Sequence, residues 1–214
     1  MVGLSRIDGP ARFGADLRRR LGRRGRVELY FAFDDPNSAV AVIDLAERLV
    51  DFDVLLILDP VVNRGIPDDP AVEEKRRFAI TDARRLFKRA GLTLRRNEPI
   101  RPEHTAFLAE WAASSLPGPA LTKFCVAAMR QLWLVGDDEI DPALYADLWH
   151  EAFGDDPPPA GAGADAVRAN ERRMARRGPY DTPAVWVHGQ WSFAHDRLPR
   201  IADRLDELGW RFEP

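Results

Sequence analysis

The chain has 214 residues, 45% of them apolar, which suffices for one good core and is short for two independent domains. No apolar run reaches the roughly 18 residues of a membrane-spanning helix, and the first 26 residues lack the apolar stretch of a secretory signal. Cys125 is the only cysteine, so neither an intramolecular disulfide nor a Cys-x-x-Cys motif can form, and dithiol–disulfide exchange is excluded. A free cysteine gives no reason to place the chain outside the cytoplasm.

Charge is unevenly spread. Met1 to Arg26 carries eight arginines against Asp8 and Asp16, about +6 net, so the remainder is near −9 within a total of −3. A basic arm on an acidic body suits nucleic acid or a membrane. The favoured expectation is instead a helix packed on the domain edge through Leu4, Ile7, Phe13, Leu17 and Leu21.

Arg26 to Phe33 is rich in β-branched and aromatic residues and predicts a strand. Asp34-Asp35-Pro36-Asn37-Ser38 follows, with an aspartate as N-cap and proline at the first helical position. The helix is expected to reach about Val50, with Ala39, Val42, Ile43, Ala46 and Leu49 inward. Asp53 to Leu58 is apolar on both faces, as in a sheet covered on both sides. Asp59 to Asp69, broken by Pro60, Gly65 and Pro67, reads as a loop. A helix is predicted over 72–90, ended by Gly91, then a short extended piece over 92–95. Four helices are predicted over 103–116, 119–135, 142–153 and 163–177. Cys125 sits on an apolar helix face and reads as an inert core residue. Ala184 to His188 predicts a strand, Gly189-Gln190 a tight turn, and Trp191-Ser192-Phe193 the start of its partner. A last helix is expected over 198–208, with Ile201, Leu205 and Leu208 inward.

The order is thus β-α-β, a helical block, then β-β-α, an α/β thioredoxin fold with a large helical insertion. The expected boundaries are a basic N-terminal arm over 1–25, an N-terminal thioredoxin-fold part over 26–65, a helical insertion over 66–178 and a C-terminal thioredoxin-fold part over 179–214.

On this layout and four local motifs the chain resembles the DsbA-like superfamily, and within it the 2-hydroxychromene-2-carboxylate isomerase and kappa-class glutathione transferase branch. Tyr30 to Ser38 is similar to that branch's aromatic strand leading into Ser-Pro-x-Ser. Thr182-Pro183 matches the cis-proline beside the active site. Ala194-His195-Asp196-Arg197-Leu198 is similar to Gly-x-Asp-Arg-Leu/Met, and Asn63-Arg64-Gly65 lies where relatives keep a glutathione-contacting asparagine.

The resemblance implies a cytoplasmic glutathione-dependent isomerase or transferase acting on an aromatic or electrophilic small molecule. In such enzymes a serine hydroxyl at a helix N-terminus donates to the glutathione sulfur, and the helix end favours the thiolate. Here Asp35 stands at that place, and an ionised carboxylate beside a thiolate opposes it. Two routes remain open: Asp35 as a general base taking the thiol proton, or Ser38 donating to the sulfur from the same helix face. A purely structural role for both, as cap and first-turn residue, stays equally open. The resemblance makes Asp35 and Ser38 the catalytic candidates, and Asn63, Thr182, Pro183 and Asp196 the glutathione-binding ones. Thr182 would act through its main chain and Asp196 on the glutamyl amine. Trp191 and Phe193 are candidates for an apolar pocket wall.

No clustered His, Cys, Asp or Glu spacing argues for a metal, and no phosphate-binding glycine motif is present. The expected partners are a small-molecule substrate and, by analogy, a second copy in a homodimer; neither nucleic acid nor membrane is expected. The alternative function is a thioredoxin-fold binding or interaction protein that has lost catalysis, since fold does not fix function.

Overall fold

The computed structural model describes residues 9–136, 139–194 and 197–212. The elements run α1 (Gly9–Arg20), β1 (Gly25–Phe31), α2 (Pro36–Arg48), β2 (Val54–Pro60), α3 (Val72–Arg89), α4 (Pro102–Ala113), α5 (Pro119–Arg130), α6 (Pro142–Phe153), α7 (Ala164–Arg177), β3 (Ala184–Val187), β4 (Gln190–Phe193) and α8 (Leu198–Glu207). A single turn of 3₁₀-helix, Leu49–Asp51, follows α2, and a π-helical turn, Gln131–Val135, follows α5.

The sheet order is β2-β1-β3-β4. β1 and β2 are parallel, in register from Gly25 opposite Val54 to Phe31 opposite Pro60. β3 runs antiparallel to β1, and β4 antiparallel to β3. α2 is the crossover that parallel pairing requires. β1 occupies the middle because its residues tolerate burial on both faces: Val27, Leu29, Tyr30 and Phe31 are all essentially inaccessible. α2 buries Ala39, Val42, Ile43 and Leu45. The insertion is tied to the sheet by Trp133, which is fully buried and donates its indole N–H to the Phe33 carbonyl at 3.0 Å. That bond satisfies a backbone acceptor just beyond β1 and orients one of the largest side chains of the core.

On the other side of β1 and β2, α7 is held by charge. Arg173 donates to Asp59 at 2.7 Å and to the Tyr30 hydroxyl at 3.2 Å, while Arg177 pairs with Glu28, donates to the same hydroxyl at 2.8 Å and stacks over Trp186. Buried acids in a sheet are tolerable only when so partnered. Burial raises Asp59 above the ordinary carboxylate value, a shift that Arg173 opposes.

The α/β thioredoxin fold with a helical insertion is therefore as the sequence predicts, with local corrections. β2 continues through Asp59 and Pro60, whose register partners are Tyr30 and Phe31, so the loop begins two residues later than expected. The short piece expected over 92–95 belongs to neither helix nor sheet. The Arg95 and Arg96 amides instead reach the Trp133 carbonyl, at 2.9 and 3.3 Å. The apolar stripe of α1 does not pack on the domain edge. Phe13, Leu17 and Leu21 are 71, 48 and 60% exposed, and the contact with the body is made by Ala15 and Arg19; Leu4 and Ile7 lie outside the described residues. No described helix is long and apolar enough to cross a membrane.

The α4–α7 contact depends on a missing side chain. A Cβ at Gly163, which precedes α7, would lie 1.8 Å from the Glu110 carbonyl oxygen on α4. Gly163→Ala is expected to cost about 1–3 kcal/mol, because a backbone atom must give way, and to lower the midpoint of thermal unfolding by roughly 2–10 °C. An unchanged melting curve would show that the two helices separate at no cost.

Candidate functional site

The site is built around the start of α2. Asp35 is extended (φ −112°, ψ 115°) and caps the helix. One carboxylate oxygen accepts from the Asn37 amide at 3.0 Å; the other accepts from the Ser38 amide at 3.1 Å, the Ser38 hydroxyl at 2.5 Å and the Thr182 hydroxyl at 3.1 Å. The free amides of a first turn and the positive end of the helix favour a negative group there. In this protein its own carboxylate fills that place. Asp35 is 6% exposed. Burial pushes its pKa above the ordinary 3.8, and the nearby Arg64 guanidinium and the Ser38 hydrogen bond work against that shift.

Asp34 makes a different use of its carboxylate. It is gripped end-on by Arg64, at 2.8 and 2.9 Å, in a buried two-bond pair. Arg64 also approaches Asp181 at 3.6 Å. Two adjacent buried acids require a buried cation; the Asp34-Asp35 sequence announces that need without saying which arginine meets it. Arg64 is the principal residue that sequence reasoning missed, having been read only as the neighbour of Asn63.

Beside Asp35 lies an open cleft of about 590 Å³. Its walls come from α2 (Asp35, Asn37), the 62–67 loop, the first turns of α3, Pro102, and the segment Tyr180–Thr182. It thus opens between the thioredoxin-fold loops and the helical insertion, where a small-molecule site is expected. The wall is mixed rather than apolar: Ile66, Val72 and Ala79 share it with Arg64, Lys75, Arg76, Asp69 and Asp181. Asn37 lines the same region, while its side-chain oxygen is shielded from solvent and has no hydrogen-bond partner among the described residues.

Several predicted residues meet here in altered roles. Asp35, Asn63 and Thr182 line the cleft together, and the Thr182–Pro183 peptide is cis. Ser38 does not reach it. Its side chain is fully buried, its hydroxyl proton is given to Asp35, and its oxygen accepts from the Ala32 amide at 3.2 Å. Donation from Ser38 to a ligand sulfur, one of the two routes the sequence leaves open, would require this proton to leave Asp35. The Thr182 amide, expected to pair with a ligand backbone, donates to Asp181 at 2.8 Å. Asn63 is likewise engaged. Its amide and side-chain N–H both donate to Glu171, at 2.7 and 3.1 Å, and the Val62 amide joins them at 3.1 Å. Asp196 lies outside the described residues. Trp191 lines a separate groove between the β3–β4 hairpin and α8, and Phe193 packs edge-on against Tyr180 at 5.8 Å. Cys125 is fully buried in the insertion, where burial drives its thiol pKa far upward. No cluster of three or more potential metal ligands occurs among the described residues.

Comparison with known proteins places the architecture. No family model matches the sequence, and no curated protein matches it. Among solved structures, a 2-hydroxychromene-2-carboxylate isomerase superposes with a TM-score of 0.67 at 17% identity, covering 86% of this chain and 96% of that one. A probable DsbA oxidoreductase from Streptomyces coelicolor superposes with a TM-score of 0.64 at 18% identity, covering 89% of this chain and 92% of that one. At such identities the likeness establishes the shared fold: the chain has the DsbA-like thioredoxin fold, helical insertion included.

Proposed function

We propose that this chain is a glutathione-dependent isomerase or transferase acting on an aromatic or electrophilic small molecule, with the Asp35 carboxylate as the base that takes the thiol proton. The observation that carries this reading is Asp35 itself: a shielded carboxylate at the wall of a cleft, with its pKa raised toward that of a thiol. Raising the base narrows the gap across which the proton must move. Once neutral, Asp35 no longer repels the thiolate it has produced. The thiolate then adds to an electron-poor carbon of the substrate and leaves again in isomerisation, or stays attached in transfer. The fold likeness to the isomerase supports the setting. The buried Cys125 offers no sulfur of the chain's own for exchange.

A second reading has a specific observation behind it. The donors by which the site's relatives are expected to hold a thiol ligand are satisfied internally: the α2 amides and Ser38 by Asp35, Thr182 by Asp181, and Asn63 by Glu171. That arrangement suits a binding protein without catalysis.

Titration of reduced glutathione by calorimetry separates the two. Saturable binding weakened by Asp196→Ala, together with loss of turnover in Asp35→Asn, is the expected result. Absence of binding up to millimolar glutathione, the range of ordinary weak ligands, would leave the binding-protein reading. Asp35→Ser, which removes the base, should raise the pH at which the ultraviolet absorbance of the bound thiolate appears; a lower pH would show that the carboxylate opposes the thiolate rather than producing it.

The burial of Asp35 also predicts a stability profile. A carboxyl with a raised pKa keeps its proton in the folded state at pH values where the unfolded chain has lost it. Stability therefore falls as pH rises from 3.8 through the higher folded value. Asp35→Asn removes this titration. The melting temperature of the native chain minus that of the variant is expected to decline across that window and then level off. A difference that is flat or rising with pH would show that the four donors around Asp35 outweigh its burial.

A further inference from the structure

The fold leaves the apolar stripe of α1 uncovered. Phe13, Leu17 and Leu21 recur every four residues and so share one face of the helix. Leu21 still belongs to that face, since its amide donates to the Leu17 carbonyl at 3.1 Å. The helix closes at Gly22 (φ 62°), with Gly22 donating to Arg19 and Arg23 to Arg18, both at 2.9 Å. The opposite face is fixed to the body: Ala15 is fully buried, and Arg19 donates to the Leu208 carbonyl and lies 5.5 Å from the centre of the Trp210 ring. Held by its back, α1 presents the three apolar side chains outward.

Charge decides what they face. From Arg12 to Arg26 the arm has seven arginines and one acid, Asp16, which pairs with Arg19. Arg12, Arg20 and Arg23 are exposed, and Arg24 pairs with Asp53 at 3.0 Å. A second copy laid on this helix would bring arginines against arginines. A nucleic acid would take the arginines and leave three apolar side chains in water. An anionic lipid surface takes both, because the apolar stripe enters the boundary between headgroups and acyl chains while arginine stems reach the phosphates. We infer that α1 is a docking element for an anionic bilayer surface, lying in its plane with Phe13, Leu17 and Leu21 immersed. The remaining chain carries the excess acid, so the arm is the part drawn to such a surface. Binding is peripheral and salt-sensitive. The inference is independent of the chemistry of the cleft.

The test is co-sedimentation of the full chain with vesicles of phosphatidylcholine containing about 30% phosphatidylserine, against phosphatidylcholine alone. Binding to the anionic vesicles only is expected, weakened about tenfold or more by Phe13→Ser with Leu17→Ser, and likewise by Arg12→Gln with Arg20→Gln and Arg23→Gln. All five substituted side chains are exposed, so the variants should melt with the native chain, which shows that they fold. Failure to bind anionic vesicles would overturn the inference, as would binding indifferent to both variants. A dimer abolished by Leu17→Ser would assign the stripe to a second copy. Tight binding of a DNA or RNA oligomer that ignores the serine variant would assign the arm to nucleic acid.

Discussion

The carboxylate of Asp35 holds the functional half of the molecule together. It caps α2, fixes the Ser38 hydroxyl and accepts from Thr182, so it joins the end of the β1 segment, the crossover helix and the segment leading into β3. Four donors and a helix terminus favour its charge, while burial disfavours it. The balance between these effects bears on both the geometry of the cleft wall and the proton affinity of Asp35. Asp34, its neighbour, is instead paired directly with Arg64.

Much of the fold was legible because local and long-range signals agree. The β1–α2 junction shows this well. An aromatic, doubly buried strand, an aspartate cap and a proline at the first helical position all point to the same break, and the structure places it there. The helices of the insertion were found from period and punctuation, with Pro102, Pro119 and Pro142 each opening one. Their ends were less legible. The π-helical turn after α5 holds the Trp133 carbonyl, which receives both the Arg95 and Arg96 amides. Such a contact between distant segments leaves no periodic trace.

The site was half legible for a related reason. Which residues gather was readable from the motifs, so Asp35, Asn63 and Thr182 do line one cleft. What each hydrogen-bonds was not. Asn63 is bound by Glu171, 108 positions away, and Ser38 is turned inward by the Ala32 amide and by Asp35. Partner choice depends on side-chain rotamers and on helices packed from elsewhere in the chain, and neither has a spacing to read. The amphipathic pattern of α1 was likewise clear, but amphipathicity says only that one face differs from the other. It cannot say that small Ala15 with Arg19 would be the inner face and the large apolar residues the outer one.

These internal bonds bear on how any ligand must engage the cleft. A donor already satisfied by a buried carboxylate contributes to ligand affinity only the difference between two similar hydrogen bonds, which is small. Contacts that cost nothing to make therefore carry more weight. Here the oxygen of Asn37, unpartnered where it is shielded, becomes such a contact when the side chain turns into the cleft that Asn37 lines, because a ligand donor then gains a bond without breaking one. The apolar wall of Ile66, Val72 and Ala79 is another. A ligand that suits this cleft is accordingly one that brings its own donor to the N-terminus of α2 and an apolar body for the α3 side. A thiol reaching Asp35 fits that description by donating its proton, whereas one that arrives already ionised brings a second negative charge to a helix end that Asp35 already occupies.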